Sequence, residues 1–263
     1  MLALVAVSAN ATMDAADSNA PNTPDMPLSH VAGLPGGDLL ARAASANRDL
    51  YASLQSFVCS ELIDRYKGRI GSESVRHLDT VSVKVSLENG TEHYSDVREK
   101  NRPLRDLTSL DGAWSEGEFG TLLQQSEQLL RTQSTVIDGA ADLNGAPAVM
   151  LHFDVAATDS PWDLEVGGQH YFIAFRTRLW LSEASGDILK IERTSTNIPN
   201  GLRIAQIAWS VTLGPVDLNG KQWLLPSTGD YQVIYRDGGR REWNTLTFSG
   251  YHRYGAEVKL HFE

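Results

Sequence analysis

The chain has 263 residues, of which 41% are hydrophobic and 21% charged, and its formal net charge is -10. This is the composition of a globular protein with a sizeable core, which excludes a disordered or membrane-embedded chain. An acidic chain without a basic tract repels phosphate backbones, so nucleic acid is excluded as a partner class. No apolar run approaches the length of a membrane-spanning helix, so we expect no transmembrane segment.

The N-terminal stretch is similar to the back half of a secretory signal peptide. Residues 2–7 form a short apolar run and residues 8–11 are small, with an A-x-A pattern, although a basic n-region is missing. Residues up to 37 are rich in Ala, Asn, Asp, Pro and Gly. We interpret residues 1–37 as a truncated, signal-peptide-like, disordered leader, and we expect a periplasmic or secreted protein. A disordered tail without export is the alternative.

Two amphipathic helices are predicted, both in the first half of the chain. The first covers residues 38–54, where apolar residues recur near a helical period and Asp38 is a good N-cap. The second covers residues 117–131, and the S-x-x-E pattern of Ser115 and Glu118 indicates a capping box before it.

The rest of the chain alternates between apolar and polar residues with a period of two, which is typical of half-buried strands. About ten or eleven strands are expected, the last at residues 258–262, with Asn-Gly hairpin turns at residues 89–90, 144–145 and 219–220. A sheet of this length with one apolar face must curl. The sequence therefore predicts a mainly β (α+β) domain over residues 38–263. Its large curved antiparallel meander sheet forms an incomplete barrel capped by two helices.

The clearest strand pair lies in residues 169–199, where two alternating runs flank the turn EASGD. We predict these residues to be the central hairpin of the sheet. Arg176, Arg178 and Trp180 fall on the face opposite to the apolar one. Because Trp and Arg are enriched in interface hot spots, these three are candidates for binding a protein partner. Arginine stems stacked over a tryptophan on a wetted face are the other interpretation.

The hairpin LWLSEASGDILKIE, together with the order of helices and strands, resembles the LolA/LolB-like superfamily over residues 38–263. The segment SFVCSELIDRYKGR also resembles a motif of uncharacterised secreted acidobacterial proteins. What the superfamily resemblance implies is an envelope protein with a cavity between sheet and helices that holds acyl chains or a similar hydrophobic ligand. It implies no fixed catalytic residues.

The apolar strand faces supply the candidates for the walls of that cavity. They are Val83, Val85, Leu151, Phe153, Ile173, Phe175, Leu179, Trp209, Val211 and Phe248.

Enzyme and metal motifs give no positive signal. The sequence has no G-x-S-x-G, H-E-x-x-H, G-x-x-x-x-G-K-[ST] or C-x-x-C pattern. The pair His152 and Asp154 makes a poor metal site without a third ligand, and Cys59 is read as a small buried hydrophobe. We therefore predict no catalytic activity, no metal and no cofactor.

Two functions remain. The first is an exported, non-enzymatic protein that binds a hydrophobic ligand, a lipid or a lipoprotein acyl chain, between the curved sheet and the helices. The alternative is an envelope structural or protein-interaction module with a packed core and no ligand, whose outer face contacts an envelope protein.

Overall fold

The computed structural model describes residues 5–9, 36–54 and 57–253. The helices in this part of the chain are α1 (Gly36–Leu54) and α2 (Thr121–Thr132). The strands are β1 (Val5–Ala9), β2 (Phe57–Arg69), β3 (Val75–Glu88), β4 (Thr91–Glu99), β5 (Arg102–Pro103), β6 (Ala113–Ser115), β7 (Val136–Leu143), β8 (Ala146–Val155), β9 (Trp162–Val166), β10 (Gln169–Phe172), β11 (Ala174–Ser182), β12 (Ile188–Asn197), β13 (Ile204–Leu218), β14 (Lys221–Tyr235) and β15 (Arg240–Arg253).

The main sheet has eleven antiparallel strands in the order β5-β4-β3-β2-β15-β14-β13-β12-β11-β8-β7. Sequence neighbours are neighbours in the sheet, except where β2 pairs with β15 and β8 pairs with β11. The two ends of the sheet do not meet, so it is not closed into a barrel. Its inner face forms one hydrophobic cluster with residues of both helices. The predicted fold class, a large antiparallel sheet with two helices, is confirmed.

A second sheet of four strands has the order β10-β9-β1-β6. Strand β1 runs parallel to β6 and antiparallel to β9. It lies within residues 1–37, which the sequence predicts to be a leader, and residues 10–35 of that leader are outside the described part of the chain. The strand predicted at residues 258–262 is outside it as well.

The predicted central hairpin is present in part. Strands β11 and β12 pair as expected, but β10 belongs to the four-stranded sheet, so the first run of residues 169–199 is two strands. The chain passes between the sheets at Ile173, whose N–H donates to the Trp162 carbonyl at 3.0 Å and whose carbonyl accepts from the Ser160 hydroxyl at 2.6 Å. The alternation continues unbroken through Ile173, which is why the sequence pattern does not reveal the change of sheet.

The predicted start of the second helix is wrong by four residues. The helix begins at Thr121 with Gly120 as its N-cap. Its first backbone N–H groups donate to a carboxylate oxygen of Glu92 on β4, at 2.8 Å from Gly120 and 2.7 Å from Thr121. The Ser115 hydroxyl donates to the Glu118 carboxylate, so these two residues pair with each other and do not cap the helix.

Candidate functional site

The ten residues predicted to face a cavity all lie in the hydrophobic cluster on the inner face of the main sheet. None of their side chains is more than 6% exposed. They come from β3, β8, β11, β13 and β15, with Ile173 directly before β11. The structure thus brings them together, and their role in lining a ligand cavity stays a prediction.

A row of polar side chains crosses this apolar face. Direct strand pairing aligns seven residues on seven adjacent strands, and since paired residues share a sheet face, their side chains lie side by side. In order across the sheet they are Thr177, Arg193, Trp209, Tyr231, Asn244, Arg65 and Asp79. Each is at most 5% exposed. We call these seven residues the polar row.

One half of the polar row is completed by the chain itself. The Arg65 guanidinium contacts both carboxylate oxygens of Asp79, with Nε at 2.6 Å and Nη2 at 2.7 Å. Its Nη1 donates to the Asp111 carbonyl at 2.7 Å, and the Asn244 amide donates to the Ala113 carbonyl at 3.1 Å. Burial raises the pKa of Asp79, but the hydrogen bonds and charge of Arg65 outweigh burial and hold that pKa below its usual value.

The other half is different, because few of its polar atoms have partners. Arg193 donates from Nη1 to the Gln125 side chain on α2 at 2.8 Å. Its Nε and Nη2, together with the Thr177 hydroxyl, the Trp209 indole N–H and the Tyr231 hydroxyl, have no hydrogen-bond partner among the described residues. Burial lowers the pKa of Arg193 to about 9, so its charge persists at neutral pH.

Aromatic rings enclose the Arg193 guanidinium. Its central carbon lies 4.3 Å from the centre of the Phe175 ring and 5.9 Å from that of Trp162. The Trp162 ring is in turn 6.2 Å from the Trp209 ring, and its indole N–H also has no partner in the described part of the chain. The site is therefore a buried cation within apolar and aromatic walls, and such contacts stabilise a desolvated guanidinium.

A separate buried group consists of carboxylates near the start of α2. Burial is the main cause that raises the pKa of Glu118 to about 8 and that of Glu116 to about 7. The pKa of Glu61 on β2 is raised well above its usual value by burial and by the charges of Glu118 and Glu92. None of these three carboxylates forms an ion pair with another described residue, and burial favours their protonated forms.

The outer face carries the three residues predicted to bind a partner. Arg176, Arg178 and Trp180 lie together on β11, on the face opposite to the hydrophobic cluster. Arg176 forms two hydrogen bonds of 2.7 Å with Asp154 on β8, and the Lys190 ammonium lies 4.9 Å from the centre of the Trp180 ring. Two of the three are therefore engaged by neighbours on the same face.

A cleft of about 530 Å³ opens beside the completed half of the polar row. Its lining includes side chains of both charge signs, among them Lys67, Arg76, Glu99, Lys100 and Glu242. None of the ten predicted cavity residues lines it. This cleft therefore does not have the apolar walls that the sequence resemblance implies.

The described residues contain neither a metal-binding cluster nor a membrane-spanning helix. Across residues 5–9, 36–54 and 57–253, no group of three or more His, Cys, Asp and Glu side chains is placed to hold a metal ion. His152 contacts Asp138 at 2.8 Å and not Asp154. Cys59 is buried, and burial raises the pKa of its thiol. No helix in the described ranges is long and apolar enough to cross a membrane.

Sequence reasoning missed Arg193 as a site residue. A signal for it exists, since Ile191, Arg193 and Ser195 fall on one face of β12 and the first of them is plainly a core residue. An arginine at an inward position of a strand is uncommon, and such a residue is a candidate for a functional site. Its alignment with Thr177 and Trp209 depends on strand register, which the sequence alone does not supply.

No protein-family model matches the chain, and no curated protein matches it. Among solved structures, it is similar to a DUF1329 family protein from Desulfovibrio piger, at 10% identity and a TM-score of 0.41, over 86% of this chain and 93% of that one. A structure described as an outer membrane lipoprotein-sorting protein domain from Vibrio parahaemolyticus matches at 10% identity and a TM-score of 0.39, over 84% and 92% of the two chains.

The lipoprotein LppX from Mycobacterium tuberculosis matches at 13% identity and a TM-score of 0.28, over 83% of this chain and 97% of that one. Because all three TM-scores are below 0.5, no statement about the superfamily or the function of this chain rests on these similarities. The resemblance to acidobacterial proteins stays a prediction.

Proposed function

We propose that this protein is an exported, non-enzymatic binding protein that holds a hydrophobic ligand, a lipid or a lipoprotein acyl chain, against the inner face of the main sheet. The observation that carries the proposal is the half of the polar row around Arg193, where most polar side-chain atoms have no hydrogen-bond partner in the described part of the chain. A buried donor or acceptor without a hydrogen bond costs roughly 1–3 kcal/mol, and folded proteins keep few of them. Several such groups in one place favour a site that a guest molecule completes.

The surroundings of these groups fit a guest with a long apolar part. On the inner face, a row of directly paired residues next to the polar row includes Leu151, Leu179, Ile191 and Val211. All four are buried in the hydrophobic cluster. An amphiphile would place its polar end at the polar row and its chain along this apolar row, so that both kinds of surface are satisfied.

Native mass spectrometry tests the proposal on protein purified without detergent, followed by lipid extraction. We expect bound lipid, or uptake of lipid by the extracted protein. Val211→Phe places a larger side chain on the inner face, takes up space needed by the ligand and should lower the lipid content. Thr212 is the next residue on β13 and lies on the outer face, so Thr212→Phe should leave the lipid content unchanged. Protein that neither carries nor takes up lipid contradicts the proposal and favours a packed-core interaction module.

Export is tested separately by cell fractionation and N-terminal sequencing of the protein from its source. We expect the protein outside the cytoplasm, because the apolar run of residues 2–7 is followed by small residues, as in a signal peptide. N-terminal sequencing also shows whether residues 5–9, which form β1 in the four-stranded sheet, are retained. Protein found only in the cytoplasm would contradict export and leave the ligand question open to the lipid measurements.

A further inference from the structure

The half of the polar row without partners is made mainly of hydrogen-bond donors. The Nε and Nη2 donors of Arg193 have no partner among the described residues, and the indole N–H groups of Trp209 in the row and of Trp162 beside it can only donate. The hydroxyls of Thr177 and Tyr231 can donate as well as accept. A cluster of donors around a buried positive charge is complementary to a group that offers acceptors and a negative charge.

The atoms of Arg193 that lack partners are the two that a carboxylate uses. In Arg65, the Nε and Nη2 atoms together hold both oxygens of Asp79. In Arg176, the same pair of atoms holds both oxygens of Asp154. In Arg193, Nε and Nη2 have no partner among the described residues, while Nη1 is occupied by Gln125. The Nε and Nη2 atoms of an arginine together bind the two oxygens of a planar anion. Of these three arginines, Arg193 is the one in which this pair of atoms has no partner in the described ranges.

No ion pair of the described residues includes Arg193. Its side chain is 0% exposed, so bulk water does not solvate the charge. The Phe175 ring covers a face of the guanidinium at 4.3 Å, which orients the plane without using the donor atoms. A buried guanidinium held in this way is stabilised most by a single anion that lies in the plane of the guanidinium group.

We propose that the Nε and Nη2 edge of Arg193 binds the anionic head group of the ligand, a carboxylate or a phosphate monoester, with Thr177, Trp209 and Trp162 as further donors. This inference rests on the proposed function, because it names the head group of the hydrophobic ligand. The ligand is then an acidic amphiphile whose apolar chain follows the row of Leu151, Leu179, Ile191 and Val211.

Calorimetric titration of the delipidated full chain with matched amphiphiles tests the inference. The probes are dodecanoate, dodecyl phosphate and methyl dodecanoate, which share one chain length and differ in the head group, with acetate and inorganic phosphate as anions without a chain. We expect at least one of the two acidic amphiphiles to bind about tenfold or more tightly than the methyl ester, because hydrogen bonds to charged groups are the strong ones. The stronger of the two identifies the head group.

Substitutions separate the head-group site from the apolar walls. Arg193→Met should remove the preference for the acidic amphiphile while binding of methyl dodecanoate persists. Arg178→Met, the same substitution on the outer face of the adjacent strand, should leave the preference unchanged. In the unsubstituted protein, the indole N–H resonances of Trp162 and Trp209, assigned by Trp→Phe variants, should shift with the acidic amphiphile and not with its methyl ester.

The outcomes distinguish this inference from the proposed function. Equal affinities for the acidic amphiphiles and the methyl ester, with unshifted Trp162 and Trp209 resonances, overturn the head-group site and leave hydrophobic binding standing. Absence of binding by every amphiphile overturns both. Equal binding of acetate or inorganic phosphate without a chain overturns the link to an amphiphile. The affinities and resonances of the unsubstituted protein decide the matter even if Arg193→Met does not fold.

Discussion

The two halves of the polar row share a sheet face and a degree of burial, yet they are completed differently. Around Arg65, the chain supplies the partners itself, with Asp79 on the adjacent strand and the Asp111 carbonyl in the loop before β6. Around Arg193, the chain supplies Gln125 and aromatic rings. The contrast separates a charge whose partners belong to the chain from a charge whose Nε and Nη2 atoms have no partner among the described residues.

The largest effect on the free energy of unfolding is expected when Arg65, in the half of the polar row whose partners belong to the chain, is substituted. Arg65→Met removes a bidentate ion pair and leaves the Asp79 carboxylate buried without its partner, so the free energy of unfolding should fall by about 3–5 kcal/mol. Urea denaturation measures it. The double variant Arg65→Met/Asp79→Leu should recover most of the loss, and a single variant as stable as the unsubstituted protein would contradict the assigned role of Arg65.

The second prediction concerns the corresponding arginine-to-methionine substitution at Arg193. Arg193→Met removes a desolvated charge that has no carboxylate partner, so the free energy of unfolding of the delipidated protein should stay the same or rise by about 1–3 kcal/mol. The comparison fails if Arg193→Met destabilises as much as Arg65→Met, because the two arginines would then serve the same purpose.

A third prediction concerns the protonation of Glu116 and Glu118. The pKa of Glu118 is about 8 and that of Glu116 about 7, both above the usual glutamate value. The stability that they contribute is therefore complete below the ordinary glutamate pKa and is lost as pH rises through 7 and 8. Thermal unfolding over a pH series should show a falling midpoint, and Glu118→Gln should flatten this slope. An unchanged slope would place the proton uptake elsewhere.

The smallest effect on the free energy of unfolding is expected for Glu92, whose carboxylate accepts hydrogen bonds from backbone N–H groups. Glu92 accepts the first N–H groups of α2 from a strand of the main sheet, so it acts as a cap supplied from a distance. Glu92→Gln keeps an acceptor but removes the charge that favours a helix N-terminus, and should cost about 0.5–1 kcal/mol. Urea denaturation again provides the measurement. Glu92 also accepts a hydrogen bond from the Tyr94 hydroxyl, which the Gln variant can keep, so a loss as large as that of Arg65→Met would contradict a role limited to capping.

Periodicity was sufficient to predict the sheet, its apolar face and the outward placement of Arg176, Arg178 and Trp180. It was insufficient wherever a contact spans distant parts of the chain. Ser115 and Glu118 carry the local pattern of a capping box, yet Glu92 caps the helix because the fold brings β4 to its first turn. Local sequence patterns do not encode such tertiary partners.

The polar row could not be predicted for a related reason. Its alignment follows the register of seven strands, and irregularities shift that register, for example between Arg65 and Tyr66 where β2 pairs with β3. A one-residue slip would move Arg193 to the outer face. The sequence therefore identifies which residues face inward on each strand, but not which inward residues meet across strands.

An open sheet has a consequence for solubility, since its two terminal strands could pair with strands of other molecules. At one end, β7 has a register irregularity between Ile137 and Gly139 and carries the charged Asp138 and Asp142. At the other end, β5 is only two residues long and contains Pro103, which lacks a backbone N–H. Both ends thus have features that oppose edge-to-edge aggregation, so the sheet can stay open without polymerising.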